Sequence, residues 1–89
     1  MIIKFSRHFD KSYNKLPIKI QDKFNERLII FENDKKAEIL NNHTLLWKYK
    51  WLYSINITWD YRAIFKEYLD GSYEFIEFIK IWTHSQLYK

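Results

Sequence analysis

Eighty-nine residues are enough for one domain, and a composition that is 47% apolar and 20% aromatic can fill a single core. With no cysteine in the chain, a disulfide framework and a thiolate metal site are both excluded. No apolar run approaches the roughly 20 residues of a membrane span, and the opening MIIKFSRHFD has too short an apolar stretch for a signal peptide, so a soluble cytoplasmic protein is expected. The net charge of +4 and pI near 9.3 favour an acidic partner, either nucleic acid or an acidic protein segment. Fifteen basic residues against eleven acidic ones are nonetheless far from the block of cations of a purely electrostatic tail.

In chain order, MIIKF predicts a short opening strand. Ser6 is placed to cap a helix on which Phe9, Tyr13 and Leu16 recur at three- to four-residue spacing. Pro17 suits the first turn of a second helix, whose Ile20, Phe24, Leu28 and Phe31 make one apolar stripe with Lys19, Lys23 and Arg27 away from its centre. ENDKKAE breaks the pattern, and ILNNH reads as a loop. From Tyr53 the period becomes two, with Tyr53, Ile55 and Ile57 on one face and Ser54, Asn56 and Thr58 on the other. The next strand, DYRAIFKEY, sets Tyr61, Ala63 and Phe65 against Arg62, Ile64 and Lys66. Asp70 and Gly71 mark a hairpin turn, and YEFIEFIKIW is apolar on both faces, as an interior strand should be. A tail after it holds Thr83, His84 and Tyr88. The expectation is an α+β fold over residues 1–89 as one domain: an N-terminal strand, a two-helix hairpin, then a three-strand antiparallel meander with one sheet face covered by helices and the other partly open.

No pair among His8, His43 and His84 has metal-ligand spacing, and neither a Gly-rich phosphate loop nor a nucleophile elbow is present, so no metal or cofactor is expected. What remains is His43, Lys48, Lys50, Asp60, Arg62, His84 and Tyr88, all from the second half. In the meander Arg62 and Lys66 project from one sheet face beside the strand that leads to His84. A histidine can move a proton near neutral pH, an arginine can stabilise a phosphorane, and a carboxylate can orient an imidazole. That set would suffice for metal-free RNA cleavage by the 2′-hydroxyl, with a tyrosine stacking on an unpaired base. Each residue also has an ordinary reading: a solvated His84, a Tyr88 that plugs an edge, an Asp60 that turns the chain, lysines that guard a sheet edge, a His43 in a loop. Spacing alone leaves a small α+β domain of open function.

NNHTLLWKYKWLYSINITWDYRAIFKEY followed by WTHSQLYK resembles the RelE/ParE superfamily of type II toxins, nearest the YafQ-like branch, and FSRHFDKSYNKLPIKIQDKFNERL resembles that branch's helical hairpin. The ending is the most specific part of a resemblance that covers nearly the whole chain. It implies a ribosome-dependent mRNA endoribonuclease, two helices on a sheet, and neutralisation by a cognate antitoxin that wraps the toxin in a hetero-oligomer. The resemblance carries catalytic roles to His84 as general acid or base, to Asp60 and His43 as assisting groups, and to Arg62 at the scissile phosphate. It places Tyr88, Tyr61, Lys48, Lys50 and Lys66 on the substrate. Arg62 matches the RelE-like members, whereas YafQ has an apolar residue there, and Asn56 stands where YafQ has another histidine. A gyrase-inhibiting toxin of the ParE kind and a non-catalytic RNA- or antitoxin-binding remnant are the rival readings.

Trp47, Trp51, Trp59 and Trp82 all stand where such sequences read glycine, and Gly71 is the chain's one glycine where average usage would give about six. Two causes would produce this. One is an aromatic surface for RNA or antitoxin. The other is decoding, because a UGA codon that means glycine and is translated as tryptophan yields the shortage and the surplus together. UGG at all four codons would exclude the second. On either account, tryptophan in a turn built for glycine is expected to strain it, and an indole at residue 82 to crowd His84.

Overall fold

The computed structural model describes residues 1–45 and 49–87. Trp47 and Lys48, and Tyr88 at the other end, lie outside them. Strand β1 (Ile2–Phe5) leads into helix α1 (Arg7–Asn14) and helix α2 (Ile18–Asn33). A single 3₁₀ turn (Glu38–Leu40) precedes β2 (His43–Thr44), and β3 (Tyr53–Asn56), β4 (Tyr61–Asp70), β5 (Tyr73–Thr83) and the short helix α3 (His84–Leu87) follow. This is an α+β fold, with three helices and a mixed five-stranded sheet among the described residues. The sheet order is β1-β5-β4-β3-β2; β3, β4 and β5 form the antiparallel meander expected, while β1 runs parallel to β5 at one edge.

Ser6 joins the first strand to the first helix and fixes the far strand as well. Its Oγ accepts from the Phe9 amide (3.0 Å) as an N-cap, the same Oγ donates to the Ile79 carbonyl (3.0 Å), and its own N–H donates to Phe78 (2.9 Å). Those two carbonyls lie at a β-bulge: pairing passes from Ile64↔Lys80 to Phe65↔Phe78, which leaves Ile79 as the extra residue on β5. The bulge explains why buried residues on β5 run Ile76, Phe78, Ile81 instead of keeping strict alternation. Pro17 stands one residue ahead of α2 rather than in its first turn, its carbonyl accepting from Ile20 and Gln21. The Gln21 side chain closes the helical hairpin by donating to Tyr13 (2.8 Å) and Leu16 (3.3 Å).

The core lies between the helices and the sheet. Phe24 and Phe31 of the α2 stripe are buried against Phe65 and Phe78, with ring centroids 5.2–5.6 Å apart in tilted or edge-on contacts. Burying each such ring contributes roughly 1.5–3 kcal/mol, which makes this cluster the main source of stability in a chain without cross-links. Arg27 is more engaged than its stripe position suggests: it is half-buried, and its Nε–H donates to the Ile57 carbonyl (3.3 Å). On the opposite sheet face, Leu45 and Ile64 are buried beneath Tyr49, Leu52, Ile79 and Trp82, so Tyr49 and Leu52 cover part of the face expected to be open.

ILNNH is not plain loop. Its 3₁₀ turn ends at Asn41, held at φ 49, a left-handed conformation that asparagine tolerates, and β2 then pairs with β3. The β4–β5 hairpin turns through Gly71 and Ser72, where Gly71 at φ 65 supplies the positive φ that a two-residue loop requires. Trp51, Trp59 and Trp82 are all outside the left-handed region, since Asn41 is the single non-glycine residue at positive φ among the described residues. The expected strain at these three tryptophans is therefore absent. No helix among the described residues is long and apolar enough to cross a membrane.

Candidate active site

Alternation along the strands places Asn56 of β3, Arg62 of β4 and Trp82 of β5 side by side on the face away from α1 and α2. Arg62 is fixed from both sides. Its Nη1 donates to the Asn56 side-chain carbonyl, and its Nη2 lies 3.4 Å from His84 Nδ1. A guanidinium carries only donors, so in this contact Nδ1 is the acceptor and the imidazole proton is assigned to Nε2. At 3.4 Å the contact is long for a hydrogen bond and leaves the guanidinium able to turn toward an anion.

His84 opens α3, and two local devices hold it. Its amide donates to the Asp60 carbonyl (2.7 Å), tying the end of β5 to the β3–β4 turn. Thr83 and Gln86 bond reciprocally, the Thr83 amide to Gln86 Oε1 (2.9 Å) and the Gln86 amide to Thr83 Oγ1 (3.2 Å). This is a capping box, and THSQ is its sequence signature. The β3–β4 turn is held by Thr58, whose hydroxyl accepts from the amides of Asp60 (3.3 Å) and Tyr61 (3.1 Å).

Arg62, His84 and Asp60 thus come together, the last through its backbone, with Asn56 as a fourth member that composition did not single out as a site residue. His43 stands apart. From β2, two strands or roughly 10 Å from β4, it pairs with Ser54 of β3, with its Nδ1 2.7 Å from the Asn41 carbonyl. Lys66 is exposed on the Arg62 face but four residues, about 13 Å, further along β4. Lys50 is exposed with its ammonium 5.4 Å from the Trp51 ring centre. Tyr61 is half-buried and packs against the helix-side core. Trp82 is half-buried, with Tyr49 edge-on at 5.5 Å and the Lys80 ammonium 5.3 Å from its ring. The remaining site candidates, Lys48 and Tyr88, fall outside the described residues. The capping-box signature could have revealed α3 from the sequence; nothing in composition marks Asn56 as the residue that would hold Arg62.

No protein-family model matches the sequence, and a search of curated proteins finds no match. Solved structures do resemble it. YafQ from E. coli strain BL21(DE3) superposes with a TM-score of 0.75 at 18% identity, covering 98% of this chain and 97% of that one. A YoeB/ParE toxin from Agrobacterium tumefaciens gives 0.74 at 17%, covering 94% and 99%. The RelE–RelB complex from Pyrococcus horikoshii OT3 gives 0.72 at 20%, covering 96% of each chain. From β1 to α3 this chain therefore has the fold of these YafQ, YoeB/ParE and RelE structures.

Proposed function

We propose that this chain is the toxin of a type II toxin–antitoxin pair, acting in the cytoplasm as a single-domain endoribonuclease that cuts messenger RNA on the ribosome without a metal. The observation that carries this reading is the Arg62 guanidinium held between Asn56 and His84 on an accessible sheet face. An RNA phosphate arriving there would draw the guanidinium's donors to its oxygens, and His84 Nδ1, released from that contact, would accept the proton of the neighbouring 2′-hydroxyl. Attack of that oxygen on phosphorus forms the 2′,3′-cyclic phosphate while the bond to the 5′-oxygen breaks, the imidazolium returning a proton to the leaving oxygen. Arg62 would stabilise the charge that builds on the phosphorane. Asp60 would assist by holding the His84 backbone in place. His43, Lys50 and Lys66 would contact the RNA farther from the scissile bond, and Tyr61, Lys48 and Tyr88 are proposed as further contacts to it. The positive charge suits ribosomal RNA and an acidic antitoxin; the P. horikoshii structure is of a toxin with its antitoxin, and a comparable hetero-oligomer is proposed here.

The test is a cell-free translation reaction in which new mRNA 5′ ends are mapped by primer extension. Wild-type protein should cut only in the presence of ribosomes. His84→Ala should lower the rate by on the order of 10²–10⁴, the usual worth of a positioned proton-transfer group. Arg62→Lys should fall by roughly tenfold or more with an unchanged melting temperature, since an ammonium cannot span Asn56 and a phosphate as a planar fork does. Uncut message from a folded wild-type protein would sink the nuclease reading. Gyrase inhibition that survives His84→Ala would replace it with the ParE-like one.

A further inference from the structure

Beyond the bulge at Ile79, residues 80–83 of β5 have no strand partner on the side away from β4 among the described residues. β1 stops opposite Phe78, and Ser6 turns the chain into α1. α1 runs beside that free edge, and between them lies an open groove of about 440 Å³. Its walls carry His8 and Lys11 from α1, Lys15 at its C-cap, Lys80 from β5, and Thr83 and Gln86 from the capping box. None of the described residues lining it is acidic, and none of its three lysines belongs to an ion pair among the described residues. Asp10, the carboxylate of this helix, faces a different, apolar groove with Phe5, Phe9 and Phe24.

We propose that this groove is a second subsite for single-stranded RNA, holding the phosphodiester backbone of the substrate strand on one side of the bond that is cut. The proposal rests on the nuclease reading for the identity of the strand. Continuity supports RNA: Thr83 and Gln86, which line the groove, bracket His84 in sequence, and Trp82, also in its wall, pairs with Arg62 across β4 and β5. A strand leaving the Arg62–His84 pair therefore enters it directly. Lys11 and Lys15 are one helical turn apart, with Cβ atoms about 5–6 Å from each other, close to the spacing of neighbouring phosphates on an extended strand. Leu16, Tyr61, Ile81 and Trp82 add apolar surface to the groove, so it is the lysines on both of its walls that suit it to a phosphodiester backbone.

Fluorescence anisotropy with a short, fully 2′-O-methylated RNA, which cannot be cut by its own 2′-oxygens, measures this binding apart from catalysis. Lys11→Gln/Lys15→Gln should raise Kd by about tenfold and lower the slope of log K against log salt by about 1.4, at roughly 0.7 per lost single-strand phosphate contact. Lys19→Gln/Lys36→Gln removes the same charge elsewhere and should change both much less. His84→Ala should keep the wild-type slope. Equal Kd and slope for the two lysine pairs would overturn the proposal. So would a poly-glutamate peptide that binds as tightly as the RNA and depends equally on Lys11 and Lys15, because the groove would then belong to a protein partner. Wild-type protein that cuts message while the first pair binds RNA normally would sink the subsite alone. Lysine-dependent binding by a protein that never cuts would sink the nuclease reading alone.

Discussion

Trp59 and Trp82 look alike in the sequence and are opposite in the structure. Trp59 lies in the β3–β4 turn, 87% exposed, whereas Trp82 is half-buried in a strand, edge-on to Tyr49 and under the Lys80 ammonium. Neither backbone is left-handed, so glycine has no conformational advantage at either position. Trp59→Gly should change stability by no more than about 0.5 kcal/mol. Trp82→Gly should cost about 2–3 kcal/mol, combining the lost packing on Tyr49 with glycine's extra freedom within a strand. Urea titration of both variants decides it. A more stable Trp82→Gly would mean that this strand is built for glycine, and would point to decoding as the source of all four tryptophans.

At the scale of elements, the segment after α2 is pinned to the β4–β5 hairpin by Lys35, which bridges Glu67 (2.9 Å) and Glu74 (2.6 Å). Burial alone would lower the Lys35 pKa, but hydrogen bonds to Glu74 and Glu67 and their charges carry it above the usual lysine value. The hydrogen bond from Lys35 holds Glu74 below the usual carboxylate value, against a smaller opposing effect of burial. A raised lysine stabilises below its ordinary pKa and loses that as pH rises through the folded value; a lowered glutamate stabilises above its ordinary pKa and loses that as pH falls through the folded one. The cluster therefore contributes fully between about pH 4.5 and 10.5. Lys35→Met should cost about 1 kcal/mol at pH 7, a modest figure because the Glu74 side chain is 37% exposed. Its unfolding curve should converge with that of wild type as the pH falls through the lowered folded value of Glu74. A gap that persists well below the folded Glu74 value would mean that lost packing, not charge, is what was measured. Elements of this kind differ in how much the sequence discloses. Phe24 and Phe31 announce their helix because one periodic face meets one core, and Asp70-Gly71 announces its turn because the geometry demands a positive φ. β2 was hidden because two residues show no period, and the bulge because Ile79 is apolar whichever face it takes. The parallel docking of β1 on β5 joins residues over seventy positions apart, a pairing no local pattern encodes.

Across the whole molecule, the core and the candidate site sit at different places on the sheet. The Phe24–Phe31–Phe65–Phe78 cluster clamps the middle of β4 and β5, and β1 closes on that same stretch of β5. The candidate site lies past the bulge, at the end of β5 that β1 does not reach, and its His84 amide is tied across to Asp60 by one backbone bond. The resemblance names His84, Asp60 and Arg62 as site candidates because they sit in its most recognisable segments. Their convergence was not legible in the sequence, because it depends on the Tyr61↔Thr83 end of the ladder and on the capping box at Thr83. If the architecture separates a rigid centre from an adjustable site, native-state hydrogen exchange should report two tiers. The amides of Phe65 and Phe78 should exchange only by global unfolding, tracking the denaturant dependence of the whole molecule. The amides of His84 and Gln86 should exchange faster through local opening that is nearly independent of denaturant. Binding of the uncut RNA analogue should then slow His84 and Gln86 and leave Phe65 and Phe78 unchanged. Should His84 instead exchange as slowly as Phe78 in the free protein, the candidate site would be an extension of the rigid core.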